Sequence, residues 1–278
     1  MLTEKQKEKR KNGLGGSDIP IIFGISSYKT PYQLYLEKKG ILTMDEKMSP
    51  TQYWGHKSEN MIREEFSIRN NVRIDQYDTL IHPLYEFLLA NIDGYIFEWN
   101  SILEIKCSTQ FMSSQWGPSG TSFIPLPYIL QVAHYCSVMN VDNAYIAVLI
   151  GGFDYREYHY IRDFQLEKII IESASEFWQC IKNNVIPSPK NIKDLKIMYP
   201  QNKNLKSINI SRDIELEVKN IKEIKNKIKE LEKIEEENKF NIMKYMKDSE
   251  VLIDEEGNTL ISWTCNKKGT RNFLIKGE

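Results

Sequence analysis

The stretch from residue 77 to residue 106 constrains the fold most. Four runs, 77–82, 86–93, 95–99 and 102–106, follow one another with turn chemistry at Asp93-Gly94 and Asn100-Ser101, the pattern of successive β-strands. Side chains alternate along a strand, so Glu104 and Lys106 share one face while Leu103 and Ile105 point to the core. One strand thus offers a carboxylate and an ammonium to the same cleft. If it returns as a hairpin beside the preceding strand, Glu104 comes to lie next to Asp93.

Helical patterns surround these strands. A basic stretch, 5–11, leads into Gly13-Leu14-Gly15-Gly16-Ser17-Asp18, after which 19–23 reads as the first turns of a short helix with Ser17 or Asp18 as N-cap. The glycines free backbone amides to approach an anion. Residues 31–39 suit a second helix ending at Gly40, and 54–67 a third. Past a loop rich in Gly, Pro and Ser, 113–127, the segment 128–139 reads as a helix, 144–150 and 155–162 as strands, and 164–182 as a closing helix. The expected fold is α/β (α+β), a mixed central sheet flanked by helices.

Composition shifts after Pro187-Ser188-Pro189. Ile214, Ile221 and Ile228 recur every seven residues with Ile224 and Leu231 between them, the mark of an amphipathic helix or a short coiled-coil arm. Its lysines are matched by glutamates, which favours packing or oligomerisation over a basic DNA-binding zipper. Residues 250–275 read as a β-hairpin around Glu255-Glu256-Gly257-Asn258. We expect one domain over 1–190 and an arm with a hairpin over 203–278.

Bulk properties exclude several classes. With 37 basic and 38 acidic residues, a net charge of -1 excludes a polycation that coats nucleic acid indiscriminately. Cys107, Cys136, Cys180 and Cys265 form no Cys-x-x-Cys pair, which argues against a zinc cluster or redox motif and suits thiols in a reducing compartment. The N-terminus opens into charge rather than an apolar stretch, and no apolar run is long enough to span a bilayer. The expectation is a soluble cytoplasmic protein with no membrane partner.

Each candidate residue has a plain structural reading beside the chemical one. Glu59 precedes Ile62 and Phe66 by three and seven residues, so on a helix its carboxylate lies on the apolar face, which is costly unless it is paired or binds a cation. Its plain reading is a glutamate favoured by the helix dipole. Asp93 suits a tight turn, and Glu104 with Lys106 suits an exposed edge-strand face. Held together, however, Asp93 and Glu104 repel each other, and a hard dication such as Mg²⁺ relieves that repulsion. Gln131 shares a helical stripe with Tyr128 and Tyr135, where a hydrogen-bonded core amide is its plain reading. The four histidines are dispersed, and none is assigned. Trp116 either stacks on a base or anchors its loop.

The ordered words Gly13-x-Gly15-Gly16-Ser17-Asp18, Gly24-Ile25-Ser26-Ser27-Tyr28-Lys29-Thr30-Pro31, Leu34-Tyr35-Leu36-Glu37-Lys38-Lys39-Gly40, Gly55-x-x-x-Glu59, Ile92-Asp93-Gly94, Leu103-Glu104-Ile105-Lys106 and Pro127-Tyr128-x-x-Gln131 carry a resemblance. From about residue 10 to 182 the chain resembles the YqaJ-type viral recombinase family, relatives of phage lambda exonuclease in the PD-(D/E)xK nuclease superfamily, whose core is restriction-endonuclease-like. The resemblance implies a phage or prophage enzyme in the host cytoplasm, with Mg²⁺-dependent cleavage of DNA for which Mn²⁺ substitutes. Duplex ends would be digested 5′-to-3′, leaving a 3′ overhang for a single-strand annealing protein. Asp93, Glu104 and the Ile105 carbonyl would hold metal, Lys106 would position or deprotonate water, and Glu59 and Gln131 would complete the cleft. Arg10 and Ser17 match the family's grip on a terminal 5′-phosphate. Asn91 departs from the lambda-type phosphate-contacting serine, and Ala133 from a second glutamine common in YqaJ-type chains. A trimeric ring, as in lambda-type relatives, or a partner bound through the arm are both consistent with this pattern. The alternatives are an endonuclease or nickase of the same superfamily, or a DNA-binding recruitment subunit of a recombination or defence complex.

Overall fold

A computed structural model describes residues 4–42, 49–201, 206–267 and 269–276. The chain divides into two compact units, Met1–Gln201 and Asn202–Glu278. The first opens with helix α1 (Glu4–Lys11), a two-residue strand β1 (Leu14–Gly15) and a 3₁₀ turn over Gly16–Asp18, followed by helices α2 (Ile19–Ile22), α3 (Pro31–Lys38) and α4 (Pro50–Asn70). Helix α4 begins earlier than its apolar periodicity suggests. Ser49 and Gln52 form a reciprocal capping box with Pro50 in the first turn, three start signals that precede the periodic stretch.

Strands β2 (Ile74–Asp75), β3 (Leu80–Ile81), β4 (Leu88–Ala90), β5 (Gly94–Ile96) and β6 (Ser101–Ser108) come next, then α5 (Leu126–Met139), β7 (Asn143–Ile150), β8 (Asp154–Ile161), α6 (Phe164–Lys182) and α7 (Ile192–Met198). They form two sheets rather than one meander. The larger runs β2-β5-β6-β7-β8, with β6 parallel to β7 and the other pairs antiparallel; the smaller runs β1-β4-β3. The mixed sheet flanked by helices is as expected. The chain passes from the small sheet to the large one between β4 and β5, and Asp93 lies at that passage.

No tight turn forms at Asp93-Gly94, because Gly94 is already the first residue of β5. Close approach explains the glycine. A Cβ there would lie 2.5 Å from Ile74 Cγ2 on the neighbouring strand. The turn expected at Asn100-Ser101 does form, with Asn100 at φ +46°, a left-handed conformation that Asn tolerates.

Strand β6 is central and covered on both faces. Leu103 and Ile105 pack with Ile62 and Phe66 of α4, while Ile102 joins the larger core that includes Leu130 and Ala133 of α5 and Ile170 and Phe177 of α6. Glu104 therefore lies on an inward face, not on an exposed edge. Its plain reading is overturned by the strand order.

The second unit holds α8 (Arg212–Met246), followed by strands β9 (Val251–Ile253), β10 (Thr259–Cys265) and β11 (Arg271–Ile275). The expected hairpin is a three-stranded antiparallel sheet, β11-β10-β9. A second turn near Asn266, closed by its side chain and backbone onto Thr270, adds the third strand. Met246 and Ile261 are buried in this unit. No helix among the described residues is long and apolar enough to cross a membrane.

Candidate active site

The register Gly94↔Leu103 brings Asp93 beside Glu104. Asp93 Oδ2 accepts a hydrogen bond from the Ile105 amide at 2.7 Å, and its carbonyl accepts one from Arg63 Nε at 2.9 Å. Arg63 sits one turn after Glu59 on α4, so the same helix braces the Asp93 backbone and brings Glu59 to the site. Glu104 Oε1 accepts from Gln131 Nε2 at 2.7 Å and from the Lys106 ammonium. Glu104 Oε2 is buried and has no hydrogen-bond partner among the described residues. An orphaned buried acceptor costs on the order of 1–3 kcal/mol.

The electrostatics of the cluster follow from its composition. Burial raises the Glu104 pKa, and the charges of Asp93 and Glu59 push it the same way against the pull of Lys106. Asp93 is raised by burial and by Glu59, against Lys106, the Ile105 amide and Arg63. Burial works against the Lys106 ammonium, but Glu104 and Asp93 outweigh it and its pKa rises. The proton-acceptor role expected of Lys106 thus requires a cation to offset those carboxylates.

The donor set suits such a cation. Two adjacent carboxylates that disfavour each other's ionisation, one with an unpartnered buried oxygen, fit a hard oxygen-seeking dication. Among the described residues no three His, Cys, Asp or Glu side chains gather into a cage. Asp93 and Glu104, with the neighbouring Ile105 carbonyl expected from the sequence, are the groups that would hold the cation.

The remaining cleft residues arrange around this pair. Gln131 also donates to the Tyr135 hydroxyl at 3.1 Å. Lys106 lies 5.2 Å from the Tyr128 ring centre, and Tyr128 in turn stacks on Trp116 at 5.1 Å. Trp116 is buried and also contacts Tyr158, so it anchors its loop rather than offering a face to a base. His56 pairs with Glu59 Oε1 through Nδ1 at 2.5 Å. Sequence reasoning missed this histidine, although its i, i+3 spacing from Glu59 was the available signal.

The glycine loop reaches the same cleft. A Cβ on Gly16 would lie 2.5 Å from Tyr135 Cε1 and 3.0 Å from Gln131 Cγ, so only glycine lets this loop press against α5. Next to it, Arg10 donates to Ser17 Oγ at 2.8 Å, and the Ser17 hydroxyl group is on an exposed residue. Asp18 is not the side-chain N-cap of α2. Its carboxylate instead accepts from the Gly15 amide at 3.0 Å, Arg10 at 3.1 Å and Lys38 at 2.9 Å. Asn91, at the position that departs from the lambda-type serine, has its Oδ1 accepting from Thr79 Oγ1 at 2.8 Å.

Comparison with known proteins places the chain. The model of the YqaJ-like viral recombinase domain matches residues 6–142. The uncharacterized protein YqaJ of Bacillus subtilis (strain 168) is 32% identical over 252 residues, covering 87% of this chain and 77% of YqaJ. Among solved structures, the alkaline exonuclease LHK-Exo from Laribacter hongkongensis superposes with a TM-score of 0.54 at 16% identity, covering 66% of this chain and 94% of the exonuclease. LHK-Exo in complex with dAMP gives a TM-score of 0.55 at 17% identity, covering 70% and 97%. At such identities the likeness is one of fold. The matched domain spans the Arg10 loop, both carboxylates and Gln131, and the YqaJ relationship extends over most of both chains: the protein belongs to the YqaJ-like viral recombinase family.

Proposed function

We propose that this protein is a Mg²⁺-dependent deoxyribonuclease that digests duplex DNA from its ends in the 5′-to-3′ direction and leaves 3′ overhangs. The observation that carries this reading is the half-buried Asp93 beside the buried Glu104, with the orphaned Glu104 oxygen and Lys106 alongside, within a recombinase family. Bound there, Mg²⁺ or Mn²⁺ supplies charge neutralisation at the phosphate and acidifies water. The chain's own residues do the rest. Gln131 fixes the carboxylate of Glu104 through Oε1 and leaves Oε2 available. Lys106, on the same strand face, holds or accepts a proton at Nζ beside the scissile phosphate. Glu59 adds negative charge from α4, and Arg10 with Ser17 receives a terminal 5′-phosphate through a guanidinium and a hydroxyl.

The overhang suits hand-over to a single-strand annealing protein in the cytoplasm of a phage-bearing cell. Ile221, Ile224, Ile228 and Leu231 are exposed along α8, a stripe that supports self-association through this arm. The test of the reaction uses linear duplex labelled at either 5′ or 3′ end beside a covalently closed circle. Early loss of 5′ label with an intact circle is the expected result. Cutting of the circle moves the activity to an endonuclease, and early loss of 3′ label reverses the polarity.

A further inference from the structure

We propose that Asp18 and Lys38 are positioning residues of the end-recognition site: a buried ion pair that clamps Arg10 against Ser17, so that Arg10 and not Lys38 contacts the terminal 5′-phosphate. The inference rests on the end-directed reading above and adds to it a division of labour between two cations.

The geometry assigns each charge a different duty. The side chains of Asp18 and Lys38 are each 3% exposed. An ammonium has three N–H donors, and those of Lys38 go to the Gly13 carbonyl at 2.7 Å, the Arg10 carbonyl at 2.8 Å and Asp18 Oδ2 at 2.9 Å. None remains for a ligand. Lys38 therefore ties the end of α1 to the start of the glycine loop, two segments that carry Arg10 and Ser17. Asp18 is equally saturated, with Oδ1 taken by Arg10 and Oδ2 shared by Lys38 and the Gly15 amide.

Arg10 differs. One terminal nitrogen, Nη2, serves both Ser17 and Asp18, while Nε and Nη1 make no hydrogen bond among the described residues. Arg10 and Lys38 share the single Asp18 carboxylate while Glu37 is paired with Lys29, which leaves positive charge beside the exposed Ser17 hydroxyl, the chemistry that takes a phosphate. Desolvation makes a buried ion pair a poor source of stability. Its effect in this place is to fix where the guanidinium points. The loop's contact with α5 at Gly16 then sets that guanidinium relative to Gln131 and Glu104.

The experiment measures kcat and KM of the full-length protein on matched duplexes that differ only in a 5′-phosphate or 5′-hydroxyl, for wild type, Arg10→Ala, Asp18→Asn and Lys38→Met. Thermal melting checks each fold. Lys38→Gln, which keeps two N–H donors for the carbonyls and removes only the charge, replaces the methionine variant if that one unfolds. Misplacing the guanidinium is expected to raise KM for phosphorylated ends by roughly tenfold, towards the hydroxyl value, and to erase the preference for phosphate. Folded Asp18 and Lys38 variants that keep the wild-type preference, while Arg10→Ala loses it, overturn the clamp and leave the phosphate site standing. Equal losses on both ends mean a structural role only. A wild type indifferent to the phosphate removes the end-recognition reading and the clamp with it.

Discussion

Lys106 and Asp93 sit on the same cleft but answer to different forces, which separates them experimentally. Lys106→Ala removes a proton-carrying group and should abolish turnover while Mg²⁺ binding, followed by calorimetry, remains. Asp93→Ala removes a proposed ligand and should weaken that binding as well; equal Mg²⁺ affinities in the two variants contradict the roles assigned. His134 offers a test of the fold rather than the chemistry. It is buried on α5 with Nε2 2.9 Å from the Leu89 carbonyl, and burial drives its pKa down to about 4, against that carbonyl and Asp18. Between the ordinary histidine value of 6.5 and about 4 the unfolded chain takes up a proton that the folded chain refuses, so stability falls as pH drops through this window. The loss approaches about 3 kcal/mol. Urea unfolding of wild type and His134→Gln across that range should show the variant with a flatter profile; parallel profiles place the pH dependence elsewhere. At this scale Glu104 and Lys106 are legible because strand alternation is a local rule. Lys38 is not, because what it does depends on three partners distant in sequence.

The long elements reveal themselves through period and caps, and the short ones do not. Strands β1 and β2 have two residues each, too few for any alternation, yet β1 sets the glycine loop and β2 forces a glycine at position 94. The burial of β6 is likewise a product of strand order, which a single strand's pattern does not state. Gly16→Ala tests the contact between loop and helix. Its methyl group would meet the buried Tyr135 ring well inside contact distance, and overpacking of this kind costs about 1–3 kcal/mol. Activity should fall as well, since Gln131 is the other neighbour displaced. An alanine variant that melts and digests like wild type contradicts the packing described for this loop. Trp116 belongs to the same scale: its stack on Tyr128 of α5 pairs residues twelve apart in the chain, a contact made by the fold of the intervening loop rather than by any local period.

At the scale of the molecule, the first unit contains every residue assigned to the cleft and the second contains the exposed stripe of α8. Residues 1–202 should therefore retain digestion of linear duplex but lose self-association, read by sedimentation of full-length and truncated protein. Loss of digestion on truncation places part of the catalytic apparatus in the second unit. The helical heptads there are plain in the sequence, whereas the third strand of its sheet depends on a polar turn that carries little hydrophobic signal. The most direct measurement compares wild type and Lys106→Ala on 5′-labelled linear duplex with Mg²⁺ and with EDTA. Release of label by wild type in Mg²⁺ alone, and by the variant in neither, is the predicted result. Release by Lys106→Ala at the wild-type rate, or release undiminished in EDTA, contradicts a metal-dependent centre at Asp93, Glu104 and Lys106.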